Sequence, residues 1–146
     1  MYDTDLTRIS LPDDKEFIYH LGVAVSVFMS VNGFVVENIL HTDKTKSWYQ
    51  LIDKTSGSLL ADIKETITAN SNSEIARRFN DCISKRNRIL HGFRVTNTKH
   101  EQVIYTKDSK NNQYEIDDKF LINFITECSE LYDLLYKYRD EKGFVK

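Results

Sequence analysis

Apolar residues recur at helical spacing along most of this chain and give way to strand-like alternation in a single region. Phe17, Leu21, Ala24, Phe28, Val31 and Val35 share one face, and Ile18, Val25 and Ile39 widen it. After an irregular lead-in at residues 1–10, Pro12 suits a first helical turn, and Asp13, Asp14 and Glu16 suit its positive end. The pattern predicts a long helix from Pro12 to about His41, apolar over an arc wide enough to be buried on more than one side. Gly22 and Gly33 within it would allow another helix to approach closely. Trp48, Leu51 and Ile52 suggest a short helical piece. Residues 55–58 read as a turn or as the start of the next helix, which carries Leu59, Leu60, Ile63 and Ile67. Residues 70–73 (NSNS) form a boundary at which Asn72 or Ser73 caps a further helix. Phe93, Val95, residues 103–105, Tyr114 and Ile116 are β-formers. With the turn-like residues 108–112 they predict a hairpin over about 102–116. Asp117 or Asp118 then caps a last helix with Phe120, Phe124, Ile125, Cys128, Leu131, Leu135 and Tyr138 on one face, ended by Gly143. The expected fold is mainly α: an up-down bundle of four to five helices, with a β-hairpin inserted before the last one, in a single domain over 1–146.

The helix expected over residues 74–90 is the most informative. At about 100° per residue, Ile75, Phe79, Cys82, Ile83 and Leu90 fall in one apolar stripe with Arg86 near its centre. Arginine is almost never fully buried without a partner. Either Arg86 pairs with a carboxylate inside a core, or it lines a cleft that receives an anion. His91 follows at the helix end, with Gly92 as the expected stop.

Charge sharpens this picture. The chain carries −2 overall, but residues 77–99 hold Arg77, Arg78, Lys85, Arg86, Arg88, Arg94 and Lys99 against Asp81 alone. That segment is +6 and the remainder −8. A local phosphate site has this character, as does a solvated face paired with acidic neighbours. Cys82 and Cys128 lie on apolar helix faces and read as small core residues of a reduced cytoplasmic protein. The uncharged run at residues 21–36 is shorter than the ~20 residues of a span and reads as a buried helix rather than a membrane segment. Residues 1–5 are too polar and acidic for a signal peptide. The four histidines have no zinc-ligand spacing, no glycine-rich phosphate loop is present, and residues 56–58 lack the flanks of a nucleophile elbow. No metal or other cofactor is expected. Tyr132, Tyr136 and Tyr138 could stack bases, but fit core and interface positions better.

Residues 85–92, KRNRILHG, set Asn87 directly after Arg86, an apolar pair before His91, and a glycine after it. This stretch, at the end of a helix in a small helical domain, resembles the HEPN superfamily. The resemblance covers roughly residues 12–91 and the helix at 117–141. It implies a metal-independent endoribonuclease of toxin–antitoxin or antiviral-defence type. Such a protein acts on RNA as a homodimer, with two motifs in one composite active site and an antitoxin or other inhibitory protein as a further partner. Attack of a ribose 2′-OH on the adjacent phosphate requires proton transfer and positive charge on the transition state. On that reading His91 moves the proton or positions the 2′-OH, and Arg86 binds the scissile phosphate. Asn87 orients His91 or the phosphate, while Lys85, Arg88 and Arg94 bind the RNA backbone. The alternative is a catalytically silent HEPN-like module that binds RNA or protein as a regulator or adaptor. A histidine at a helix C-terminus can also be a simple cap, and Arg86 can be one half of a salt bridge to an acid of the first or last helix.

Overall fold

In the computed structural model, which describes residues 6–144, Asp14 rather than Pro12 opens the first helix. Its carboxylate accepts from the backbone N–H groups of Glu16 at 2.9 Å and Phe17 at 3.2 Å, capping α1 (Lys15–Thr42). Pro12 lies outside the helix, buried in the lead-in, so the sequence placed the start three residues too early. Residues 1–5 of the expected lead-in lie outside the described residues. By length and composition α1 could cross a membrane. Here its buried face packs on the last helix and on the shorter helices between.

The remaining helices follow the predicted order. They are α2 (Trp48–Asp53), α3 (Ser56–Ile63), α4 (Glu74–Leu90) and α5 (Asp118–Glu141), with α3 running directly into one π-helical turn, Lys64–Thr68. The caps explain the breaks. The Thr55 hydroxyl accepts from Ser58 N–H, so residues 55–58 begin a helix. Asn72, not Ser73, offers the side-chain acceptor to Glu74 N–H at 2.9 Å. Asp117 caps α5 through Phe120 N–H at 2.8 Å. Gly143 follows α5 with φ +69, a conformation for which glycine is suited.

Between α4 and α5 stand three strands, one more than the predicted hairpin: β1 (Phe93–Thr96), β2 (Gln102–Lys107) and β3 (Gln113–Ile116). They form an antiparallel sheet in the order β1-β2-β3, with Arg94 opposite Ile104 and Ile104 opposite Ile116. The extra strand uses Phe93 and Val95. Its turn to β2 is held by Asn97, whose side-chain oxygen accepts from Lys99 and Glu101 N–H at 2.9 Å each.

The core joins Phe28, Val31, Val35 and Ile39 of α1 to Phe79 and Cys82 of α4 and to Phe124, Cys128, Leu131 and Leu135 of α5. Phe28 stacks with Phe79 and Phe124 at ring separations of 6.1 and 6.3 Å. The two cysteines, 46 residues apart in sequence, meet in this core as buried free thiols. The neighbouring Cys82 thiol and burial push the Cys128 thiol well above its ordinary range. Gly22 and Gly33 face open space on the Cβ side, so no helix approaches there and the predicted close packing at these glycines does not occur.

Candidate functional site

Arg86, half-buried, occupies the position on α4 that the apolar stripe assigns to it, and its partners bear on the two readings of such an arginine. Among the described residues no carboxylate lies within ion-pair distance of it. Its partners are neutral. Nη1 donates to Ser56 Oγ at 3.0 Å, and Nε and Nη2 donate to Asn87 Oδ1 at 3.3 and 2.8 Å. The guanidinium also lies over the Phe28 ring, 4.6 Å from its centroid, in cation–π geometry. Burial alone pulls its pKa below the ordinary arginine value, yet an arginine stays charged throughout the physiological range.

Arg86 therefore lines an open pocket of about 340 Å³. Val25, Phe28, Met29, Ile52 and Leu90 form its apolar walls, and Asn32, Ser56 and Arg86 its polar side. Leu90 explains an error in the stripe. It lies on the predicted face but is 58% exposed, because the stripe runs past the core into this pocket, while Ile89 turns inward and is buried. Met29, 68% exposed, stands at the same rim.

The polar side has a fixed direction. Arg86 can only donate, so Ser56 accepts from it and uses its single proton to donate to Asn32 Oδ1 at 2.7 Å. Asn32 Nδ2 is left without a hydrogen bond to any described residue. Sequence reasoning missed Ser56 and Asn32. The available signal was Asn32 inside the uncharged run of α1, four residues after Phe28 and seven after Val25.

His91 is the C-cap of α4, with its backbone N–H bonded to Asn87 O at 2.9 Å. Its ring is exposed and makes no side-chain hydrogen bond among the described residues. Asn87, expected to orient His91 or a phosphate, instead gives its side-chain oxygen to Arg86. Gly92 ends the helix for a reason other than a left-handed backbone. A Cβ there would sit 2.7 Å from Ile104 Cγ2 and 3.0 Å from Ile89 O, so the glycine lets β2 lie against the end of α4.

The other basic candidates point elsewhere. Lys85 pairs with Glu127 and Arg78 with Glu130 across the α4–α5 groove, which also holds Arg77 and Asp81. Arg88 donates to the carbonyl of Lys107, and Arg94 Nη1 donates to the carbonyl of Ser10 at 2.7 Å. These two side chains tie the sheet and the lead-in to the motif. Tyr138 is buried and bonds Thr42 at 2.6 Å, while Tyr132 and Tyr136 pack on Phe34, with Arg139 over the Tyr136 ring at 4.4 Å. Among the described residues, no group of three or more His, Cys, Asp or Glu side chains is arranged to hold a metal ion. No protein-family model matches this chain, and neither a curated protein nor a solved structure matches it significantly.

Proposed function

We propose that this protein is a HEPN-like metal-independent endoribonuclease of toxin–antitoxin or antiviral type, acting as a homodimer with a composite site. One observation carries the reading: Arg86 is a permanent, partly desolvated cation that borders an open pocket and, among the described residues, has only neutral partners. A charge withdrawn from water is costly unless it is paired. Its half-buried counterparts Lys46 and Lys85 each have a carboxylate. Among the described residues Arg86 lacks one, as does Arg88, which bonds a backbone carbonyl instead; at the pocket a phosphate oxygen would supply the missing charge to Arg86. Three of its five N–H groups are committed to Ser56 and Asn87, which leaves two for an anion.

In this mechanism Arg86 binds the scissile phosphate and stabilises its negative charge as the 2′-oxygen attacks. His91, one residue beyond the helix and open to solvent, transfers the proton. A second copy supplies the second Arg86 and His91, so that one histidine accepts the 2′ proton and the other serves the leaving 5′ oxygen. Asn87 acts through Arg86 by holding its guanidinium. The test is incubation of the protein and its His91→Ala variant with mixed RNA in EDTA. Cleavage by the wild type alone, leaving 2′,3′-cyclic phosphate ends, is expected. Absence of cleavage by folded wild type overturns the proposal.

A second reading, a silent binding module of the same fold, is favoured by one specific observation. The His91 ring makes no hydrogen bond to any described residue that would fix its tautomer. On that reading RNA binds to wild type and His91→Ala equally, without cleavage.

A further inference from the structure

The pocket beside Arg86 is larger and more apolar than a phosphate requires. Phosphate recognition needs donors and positive charge, whereas five of the walls here are Val25, Phe28, Met29, Ile52 and Leu90. Met29 and Leu90 remain 68% and 58% exposed, apolar surface kept open next to a cation. A volume of about 340 Å³ accommodates a flat heterocycle together with its sugar. Small-molecule sites commonly combine such apolar walls with a few placed polar groups.

We infer that this pocket is a nucleobase subsite, taking the base next to the phosphate held by Arg86 and favouring bases with a carbonyl edge. The inference rests on the ribonucleotide reading above and adds the part of the substrate that the pocket recognises. The preference follows from the hydrogen-bond direction of the polar side. Arg86 donates to Ser56 and Ser56 donates to Asn32 Oδ1, so Asn32 presents its amide N–H groups. A donor-lined wall complements the carbonyl oxygens of uracil or guanine. At the edge position where uracil has O4 and guanine O6, the amines of cytosine and adenine would set donor against donor. Apolar contact with the ring supplies affinity irrespective of sequence, and the polar side supplies the preference.

The test is equilibrium binding by calorimetry or NMR titration of the purified protein with uridine monophosphate, adenosine monophosphate and ribose 5-phosphate. These probes report on the pocket whether or not RNA is cleaved. Uridine monophosphate is expected to bind roughly tenfold more tightly than ribose 5-phosphate, as apolar contact with one base provides, with adenosine monophosphate between them. Leu90→Ala should erase most of the gap between nucleotide and sugar phosphate. Met29→Glu, which places a carboxylate beside Arg86, should weaken all three ligands. Both positions are exposed, so neither change opens a cavity in the core. Equal affinity for uridine monophosphate and ribose 5-phosphate, or a gap unaffected by Leu90→Ala, overturns the subsite. Base-dependent binding without RNA cleavage sustains the subsite and overturns only the catalytic reading. RNA cleavage without base-dependent binding does the reverse.

Discussion

Arg86 Nη1 donates to Ser56 Oγ at 3.0 Å, joining the last turns of α4 to the first residue of α3. The contact holds the guanidinium at the pocket wall, and through Ser56 it fixes which end of the Asn32 amide is bonded. Ser56→Ala removes the shared partner and leaves Arg86 and Asn32 each short of a hydrogen bond. The expected loss is about 1–2 kcal/mol of stability, measured by urea denaturation. Any RNA cleavage should fall further than the fold weakens, because the cation is no longer held in position.

Asn87→Asp separates charge from geometry. The side chain keeps its size and its acceptor toward Arg86 Nε and Nη2, but gains a negative charge. Stability should be maintained or slightly raised, since the Arg86 cation acquires an ion-pair partner. Binding of RNA or of a mononucleotide should fall by about tenfold or more, because the carboxylate takes the role of the phosphate. Unchanged ligand affinity in a folded Asn87→Asp protein would show that Arg86 does not bind the anion.

Gly92→Ala tests the joint between the motif helix and the sheet. The added methyl would press on Ile104 Cγ2 and on the Ile89 carbonyl. Ile104 is packed between neighbours on β1 and β3, so the strand must shift. A cost of about 1–3 kcal/mol is expected, seen as a lower thermal midpoint. The same substitution at Gly22 or Gly33, which have open space on the Cβ side within α1, should stabilise instead.

Asp62 supports the α2–α3 corner, and its effect depends on pH. Its buried carboxylate accepts from Lys46 at 3.0 Å and Lys54 at 2.8 Å. Burial acts to raise its pKa, but the hydrogen bonds from Lys54 and Lys46 outweigh this and hold it below the ordinary 3.8. A carboxylate depressed in the folded state contributes stability that is fully present above its unfolded pKa and is lost as pH falls through the folded value. Asp62→Asn should cost about 2 kcal/mol near neutrality, less than a fully buried pair because Lys54 is partly exposed. The gap between wild type and variant should close below about pH 4. Parallel pH–stability curves for the two proteins would contradict this account.

Much of this architecture is written in local pattern. Period, caps and breaks place α1, α4 and α5 within a few residues, because helix boundaries depend on side chains such as Asp14, Asn72 and Asp117 that act on their own neighbours. The same local chemistry marks the sheet region, and the stripe on α4 puts Arg86 on the inward face. The sequence leaves β1 outside the sheet, since a four-residue strand becomes one only when β2 lies beside it. It cannot distinguish Leu90 from Ile89, because a helical period defines a face but not where the core beneath that face ends.

The partners of the charged side chains were decided by tertiary structure alone. Lys85, Arg88 and Arg94 look alike as part of a basic segment. In the folded chain one meets Glu127 and the other two hold backbone carbonyls. Ser56 and Asn32 carry no motif, and they matter because α1, α3 and α4 converge on one wall. Local sequence determines which residues can be helical, capped or turned inward, because those energies arise between near neighbours. Which groups are left unpaired at a pocket depends on contacts between distant segments, and among the described residues that pairing gives Arg86 neutral partners rather than a salt bridge.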